Sequence, residues 1–151
     1  MSEQTVFDSK EFKAIAKRHA PKGKKSRKEE KIQVAVCKYV KTKYPDVMFR
    51  CDIASSINLG ARIGGMNTRL RSSRALPDIT FFEPRRGYHA LCIELKKDRD
   101  TLYKKNGEMR DNDHFKEQAE ILKRLSDKGH YAVFGCGFDH CVEIIDWYLG
   151  E

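Results

Sequence analysis

Two apolar segments joined by a short turn constrain the fold of this chain more than any other feature. Residues 78–83 read DITFFE and residues 88–96 read YHALCIELK. Both segments have the length and the β-branched and aromatic content of core strands. The connection contains Pro84 and Gly87, the residue types that favour tight turns, so the pair predicts a β-hairpin.

The remaining apolar segments predict helices and further strands around this hairpin. The predicted elements are helices over residues 28–44, 113–128 and 139–149, and strands over residues 47–52 and 130–135. The helices are indicated by apolar residues that recur every three or four positions. Asp139 is the expected N-cap of the last helix and Gly129 the expected stop of the one before it. The order predicts an α/β domain, a mixed sheet flanked by helices.

Three polar segments lack such a pattern. Residues 54–76, which contain three glycines, are predicted to be a loop or a broken helix, and residues 97–112 a long exposed loop. Residues 1–28 contain KRHAPKGKKSRK and are predicted to be a flexible basic arm, with a short helix near residues 9–19. The folded domain is therefore expected to span residues 29–151.

Length and cysteine content narrow the class of protein. A chain of 151 residues suffices for one domain with a buried core. No run of eighteen apolar residues occurs and the N-terminal residues lack the apolar segment of a secretory signal, so neither a membrane span nor export is expected. The five cysteines are odd in number and lack the spacing of a disulfide framework, which indicates the reducing cytoplasm.

The positive charge is distributed unevenly. The net charge is +8, and residues 1–28 hold nine Lys or Arg against three Asp or Glu. A second basic segment lies between Asp52 and Asp78, where 25 residues contain no acid. Its arginines are Arg62, Arg69, Arg71 and Arg74. Guanidinium groups suit bidentate phosphate contacts, so this segment is a candidate nucleic-acid interface; a solvated tail and an ordinary loop are the alternative.

Three charged residues interrupt the apolar hairpin. Glu94 and Lys96 are two positions apart and leave a strand on the same face, and Asp78 opens the neighbouring strand. Carboxylate oxygens are ligands that Mg²⁺ prefers, and a lysine beside the metal can orient an attacking water. Taken singly, each charge is more typical of a solvated strand end.

The arrangement of these charges resembles the signature of the PD-(D/E)XK nuclease superfamily. Pro77 and Asp78 are followed by Glu94, Leu95 and Lys96, and Glu94 stands sixteen positions after Asp78. The chain is also similar to the VRR-NUC branch, whose stand-alone members are often phage-encoded. Its further motifs match Glu29 and Gln33 in the first helix, Gln118 in a later helix, and Gly129 before a strand. The resemblance covers residues 29–150 and implies a restriction-endonuclease-like fold.

The resemblance also implies roles for individual residues. Asp78, Glu94 and the carbonyl oxygen of Leu95 would hold Mg²⁺ or Mn²⁺, and Glu29 would contribute directly or through water. Glu30 is the competitor for Glu29. Lys96 would position the attacking water, and Gln118 would support Lys96 or a metal-bound water. The arginines named above, with Lys97, would contact DNA.

The implied activity is endonucleolytic hydrolysis of DNA to 5′-phosphate and 3′-hydroxyl ends, in repair or recombination. Few residues suit base reading, so cleavage selective for DNA structure is expected. Stand-alone members of the branch resemble homodimeric resolvases of four-way junctions, which favours that substrate and that assembly. The alternatives are a monomeric flap- or end-directed repair nuclease and a non-catalytic nucleic-acid-binding protein of the same fold.

Overall fold

The computed structural model describes residues 29–52 and 60–150. The predicted arm, residues 1–28, lies outside the described residues. Within the described part, helices and strands follow in the order α1 Glu29–Lys43, β1 Phe49–Cys51, α2 Gly60–Arg69, β2 Ile79–Phe81, β3 Leu91–Lys96, α3 Arg99–Leu102, α4 Asp113–Asp127, β4 Tyr131–Cys136 and α5 Phe138–Leu149. None of these helices is long and apolar enough to cross a bilayer.

The four strands form one mixed sheet in the order β1-β2-β3-β4. β2 pairs antiparallel with β1 and with β3, whereas β3 pairs parallel with β4. The predicted hairpin joins β2 to β3, and at its tip Arg85 and Tyr88 exchange both backbone hydrogen bonds. Between them Arg86 and Gly87 have φ of 51° and 81°, the backbone of a type I′ turn. The predicted α/β fold with a mixed sheet is confirmed.

One face of the sheet carries the larger apolar core. Strand residues such as Ile79, Ile93 and Val133 pack there against α1 and α5. From α1 this core receives Ile32, Val36 and Val40, and from α5 it receives Cys141, Ile144, Ile145, Tyr148 and Leu149. This alternation fixes the register, because a shift by one residue would turn the apolar side chains away from the helices.

The opposite face carries a smaller core beneath α4. Cys92, Ala132 and Phe134 of the strands pack against Leu122 of α4 and Leu102 of α3. Glu94 and Lys96 project from this same face, because they share the two-residue period of Cys92. The sheet is thus the middle of three layers, and the charged residues lie in the layer that α4 covers.

Three local predictions are corrected. The segment 97–112 is not simply an exposed loop, since it contains α3 and the fully buried Leu102. The segment 54–76 contains a regular helix, α2, within its described part. Asp139 is not the N-cap of α5, because that helix begins at Phe138 and follows Gly137, which provides no side-chain cap.

Candidate active site

Asp78 lies beside Glu94 at the carboxyl end of β3. The pairing of Ile79 with Ile93 brings Asp78, one residue before β2, opposite Glu94. Asp78 Oδ2 accepts a hydrogen bond from the backbone N–H of Leu95, and the donor–acceptor distance is 2.8 Å. The side chain of Asp78 therefore replaces the backbone acceptor that a longer β2 would have supplied. Sheet register thus brings the two carboxyl groups together, an arrangement that the sequence allowed without specifying the register.

Lys96 is buried beside Glu94, and both residues are only 4% exposed. Lys96 Nζ lies 3.3 Å from Glu94 Oε1. The same ammonium lies 5.2 Å from the centre of the Phe115 ring and 6.0 Å from that of Phe134. The rings shield the ion pair from water and interact favourably with the cation, which offsets part of the cost of burying it.

Gln118 joins this group from α4. Its side chain is buried, and Nε2 donates a hydrogen bond to Glu94 Oε1. Its other amide atom, Oε1, is buried without a hydrogen-bond partner among the described residues. Because a buried acceptor normally has a donor, this oxygen is available to a bound water. Gln118 thus contacts Glu94, whereas its predicted role, support of Lys96 or of a metal-bound water, stays a prediction.

The two carboxyl groups hold protons more tightly than carboxyl groups in water. The pKa of Glu94 is raised from 4.5 to about 8, chiefly by burial and next by the charge of Asp78, while Lys96 acts in the opposite direction. Burial also raises the pKa of Asp78, although the Leu95 N–H, Lys96 and a hydrogen bond with Glu94 act in the opposite direction. Because the charge of Asp78 disfavours the ionisation of Glu94, the pair gains from a bound cation.

Two further predicted ligands lie near the pair. The charge of Glu29, at the start of α1, contributes to the raised pKa of both Asp78 and Glu94. The Leu95 carbonyl points to the Asp78 side of β3, because Leu95 N–H bonds Asp78 whereas the next carbonyl, of Lys96, accepts from Gly137 on the β4 side.

The donor set fits a hard divalent cation that keeps several waters. Among the described residues, no three His, Cys, Asp or Glu side chains are grouped closely enough to hold a metal ion. Two carboxylates and one backbone carbonyl are nevertheless a typical protein contribution for Mg²⁺, which usually keeps water and substrate oxygens. Glu29 stays a predicted ligand, directly or through water.

The predicted DNA-binding residues lie in different surroundings. Arg62, Arg69 and Arg74 are exposed, and Lys97 is half-buried directly after β3. Arg71 differs, because its NH2 group lies 3.0 Å from Asp52 Oδ2 and both side chains are less than 20% exposed. Arg71 is therefore held by a carboxylate and does not project freely from its segment.

Asp52 links Asp78 to helix α1 through hydrogen bonds to Asp78 and Gln33. The backbone N–H of Asp52 donates to the carbonyl of Asp78 at 2.8 Å. The Asp52 carbonyl accepts from Nε2 of Gln33, which is buried in α1 four residues after Glu29. Sequence reasoning missed Asp52, although it is the last acid before the basic segment; its position depends on the pairing of β1 with β2.

These elements define an α/β fold with a mixed sheet and an acidic site at the carboxyl end of a central strand. No family model matches the chain, and no curated protein matches it. Among solved structures it is similar to a "VRR_NUC domain protein", with a TM-score of 0.60 and 21% sequence identity. The similarity covers 83% of this chain and 91% of the other. The two proteins share a fold, which is the fold that the sequence predicted.

Proposed function

We propose that this chain is a metal-dependent DNA endonuclease of the PD-(D/E)XK type. The observation that carries the proposal is the buried pair Glu94 and Lys96 beside the half-buried Asp78, with Gln118 bonded to Glu94. Buried carboxyl groups with raised pKa values cost stability, and such groups are concentrated at functional sites. The fold shared with a VRR_NUC domain protein supports the same reading.

The proposed roles follow from the contacts. Asp78, Glu94 and the Leu95 carbonyl would hold Mg²⁺ or Mn²⁺, with Glu29 acting directly or through water. A bound divalent cation supplies charge stabilisation at the phosphate and a water of lowered pKa. Lys96 Nζ orients the attacking water, and Gln118 holds Glu94 through Nε2 and accepts from a water through Oε1. The products are 5′-phosphate and 3′-hydroxyl ends.

The proposed substrate is branched DNA, with the four-way junction as the preferred form. The exposed Arg62, Arg69 and Arg74 suit a polyanion, and the described site offers few side chains for reading bases. A homodimer, in which two sites cut opposed strands, belongs to the same proposal. So does an intracellular role in repair or recombination, as in stand-alone phage enzymes.

The test compares wild type with Lys96→Ala and Asp78→Asn on matched duplex, flap and four-way junction DNA in Mg²⁺. Each variant should cut at least ~100-fold more slowly, because each removes a group that acts on the attacking water or the phosphate. Binding in EDTA should stay within about twofold. Lys104→Ala, which changes an exposed lysine, is the matched control. Products that a DNA ligase rejoins would carry the predicted ends.

Other outcomes decide between the alternatives. Tight binding by wild type without any cutting would identify a nucleic-acid-binding protein. Cutting by a monomer confined to flaps or ends would identify the repair nuclease. Full activity of Lys96→Ala or Asp78→Asn would show that the site is assigned wrongly.

A further inference from the structure

α2 exposes apolar side chains that the folding of the chain does not explain. None of its residues is buried, and Ile63, Met66 and the adjoining Leu70 are 58%, 49% and 76% exposed. Leu70 continues the helical pattern, since its N–H donates to the Met66 carbonyl at 3.1 Å. Because residues of an α-helix are about 100° apart, these three side chains lie within about 60° of one another. They form a continuous apolar stripe that faces away from the core.

Arginines flank this stripe on one side. Arg62 and Arg69 are seven residues apart, hence about 20° apart around the helix, and both neighbour Met66. No acid occurs between residues 53 and 77. A second copy of this chain is therefore a poor occupant, because a symmetric contact through α2 would gather arginines from both copies without a carboxylate from either segment. A polyanion with apolar surface fits both features.

The glycines of α2 give an independent indication. A Cβ built on Gly64 or Gly65 would meet no described atom within 4 Å. Glycine weakens a helix relative to alanine, so packing within the described chain gives no reason for either residue. Gly65 lies about 40° from Arg69, whereas Gly64 lies on the opposite side of the helix from Met66. A small residue beside the arginines permits the backbone of a partner to approach closely.

The C-terminal end of α2 is fastened to the candidate active site. Arg71 follows the helix and pairs with Asp52, whose backbone N–H bonds the carbonyl of Asp78. A strand whose phosphate lies at Asp78 and Glu94 therefore passes near α2. These contacts involve Arg71 and not Ile63, Met66 or Leu70, so the apolar stripe remains exposed.

We infer that α2 is a wedge for branched DNA. Arg62, Arg69 and Gly65 lie against the sugar–phosphate backbone, and Met66, Leu70 and Ile63 cover base faces that are unstacked at the branch point. Apolar side chains have little to gain from phosphates, but they stabilise open base steps, as in proteins that bind DNA through its minor groove. The inference rests on the proposed function, because it takes DNA as the substrate, and it names the feature of that DNA which is recognised.

The test measures binding without cleavage. Wild type and the double variant Met66→Gln/Leu70→Gln are titrated in EDTA against a labelled four-way junction and a linear duplex of equal length. The variant should lose about tenfold or more in affinity for the junction, because two apolar side chains no longer leave water. Its affinity for the duplex should stay within about twofold. The fluorescence of a 2-aminopurine placed at the branch should increase when wild type binds and should not increase when the variant binds, because only wild type holds the base unstacked.

The two glycines supply a matched pair. Gly64→Ala and Gly65→Ala should both raise the melting temperature of the free protein, since alanine favours the helix and neither Cβ meets a described atom. Only Gly65→Ala should weaken junction binding. A purely structural role for α2 would not separate these two variants.

Equal behaviour of the two glycine variants, or an equal loss of duplex and junction affinity in the double variant, would overturn the inference. So would a double variant that turns a dimer into a monomer while its affinity per subunit is unchanged, because the stripe would then bind a second copy. If wild type prefers the junction but does not cut it in Mg²⁺, the wedge inference stands and the nuclease proposal fails. If the double variant cuts the junction at the rate of wild type, the nuclease proposal stands and the wedge inference fails. If the wild-type protein binds no DNA, both fail.

Discussion

Glu94 is the residue at which stability and proposed function oppose each other. It is buried in the middle layer, its carboxylate accepts hydrogen bonds from Gln118 and Lys96, and burial raises its pKa to about 8. In the folded chain without a cation, the protonated carboxyl is therefore favoured near neutral pH. In the unfolded chain the same carboxyl ionises near its usual value of 4.5.

Stability should consequently fall as pH rises from about 4.5 to about 8, because the folded state binds the proton of Glu94 more tightly than the unfolded state. Glu94→Gln removes this proton and, with it, the part of the fall in stability that Glu94 causes. Between pH 5 and 8.5 in EDTA, wild type should lose on the order of 4 kcal/mol more unfolding free energy than the variant. Urea denaturation at the two pH values measures the difference.

The exposed Glu120→Gln is the matched control, and it should keep the pH slope of wild type. The same slope in Glu94→Gln would mean that Glu94 ionises normally. Saturating Mg²⁺ should flatten the slope of wild type and of the control but not that of Glu94→Gln, because a cation at the pair favours the ionised carboxylates.

Residue patterns located the charged group but not everything that surrounds it. The two-residue spacing of Glu94 and Lys96 assigns both to one strand face, whatever lies across from them. Gln33 gave no such signal, because one buried glutamine on a helix matches the pattern of a surface glutamine. Asp52 was missed because its contact with Asp78 depends on the register of two antiparallel strands, which a single sequence does not specify.

Local sequence patterns predict long helices well but miss short ones. The wrong prediction for residues 97–112 concerns a helix of four residues, in which Leu102 alone is buried. A single apolar residue cannot show the repeat by which a helix is recognised in a sequence. This helix is instead stabilised by its N-cap, where Thr101 N–H donates to Asp98 Oδ1. Longer elements such as α4 repeat their apolar pattern over several turns and were predicted within one or two residues.

Gly135 in β4 should be intolerant of any side chain. A Cβ at this position would lie 2.5 Å from Cys141 Sγ and 2.8 Å from Ile93 Cγ2. α5 packs so closely on the sheet here that the strand or the helix would have to move. Gly135→Ala should therefore lower the unfolding free energy by about 1–3 kcal/mol, as other overpacked cores do.

Chemical denaturation checks this prediction. Gly64→Ala is the comparison, since the same substitution at Gly64 meets no described atom and should not destabilise the chain. Equal unfolding midpoints for wild type and Gly135→Ala would mean that α5 stands further from the sheet than described.

At the scale of the molecule, the order of elements was sufficient to predict the architecture. A hairpin followed by a helix and one more strand returns the chain parallel to β3, which makes the sheet mixed. The lengths of β1, β2 and β3 were overestimated, and β2 has only three residues. At its start, the side chain of Asp78 takes the Leu95 N–H, so the backbone pairing with β3 begins one residue later than predicted.

Because the positive charge is concentrated in residues 1–28, we expect these residues to cause most of the salt dependence of DNA affinity. Affinity for DNA should fall steeply with salt, because each phosphate contact releases counterions. Replacing Lys22, Lys24 and Lys25 by alanine should reduce the slope of log affinity against log salt by roughly 2 or more. The measurement is binding to one duplex from low to moderate salt in EDTA.

Replacing the exposed Lys41, Lys105 and Lys128 instead changes the net charge equally and should leave the slope near that of wild type. Equal slopes for the two triple variants would show that only total charge matters and that residues 1–28 have no particular contact with DNA.

The central position of β3 has a consequence for the order in which the candidate site is assembled. β3 carries Glu94 and Lys96, and it lies between β2, made earlier, and β4, made later. During synthesis these two residues therefore lack both the Gln118 helix and the strand on their other side until residues 113–136 have been made. Under the proposed function, we expect nascent chains that end before β4 to leave DNA uncut.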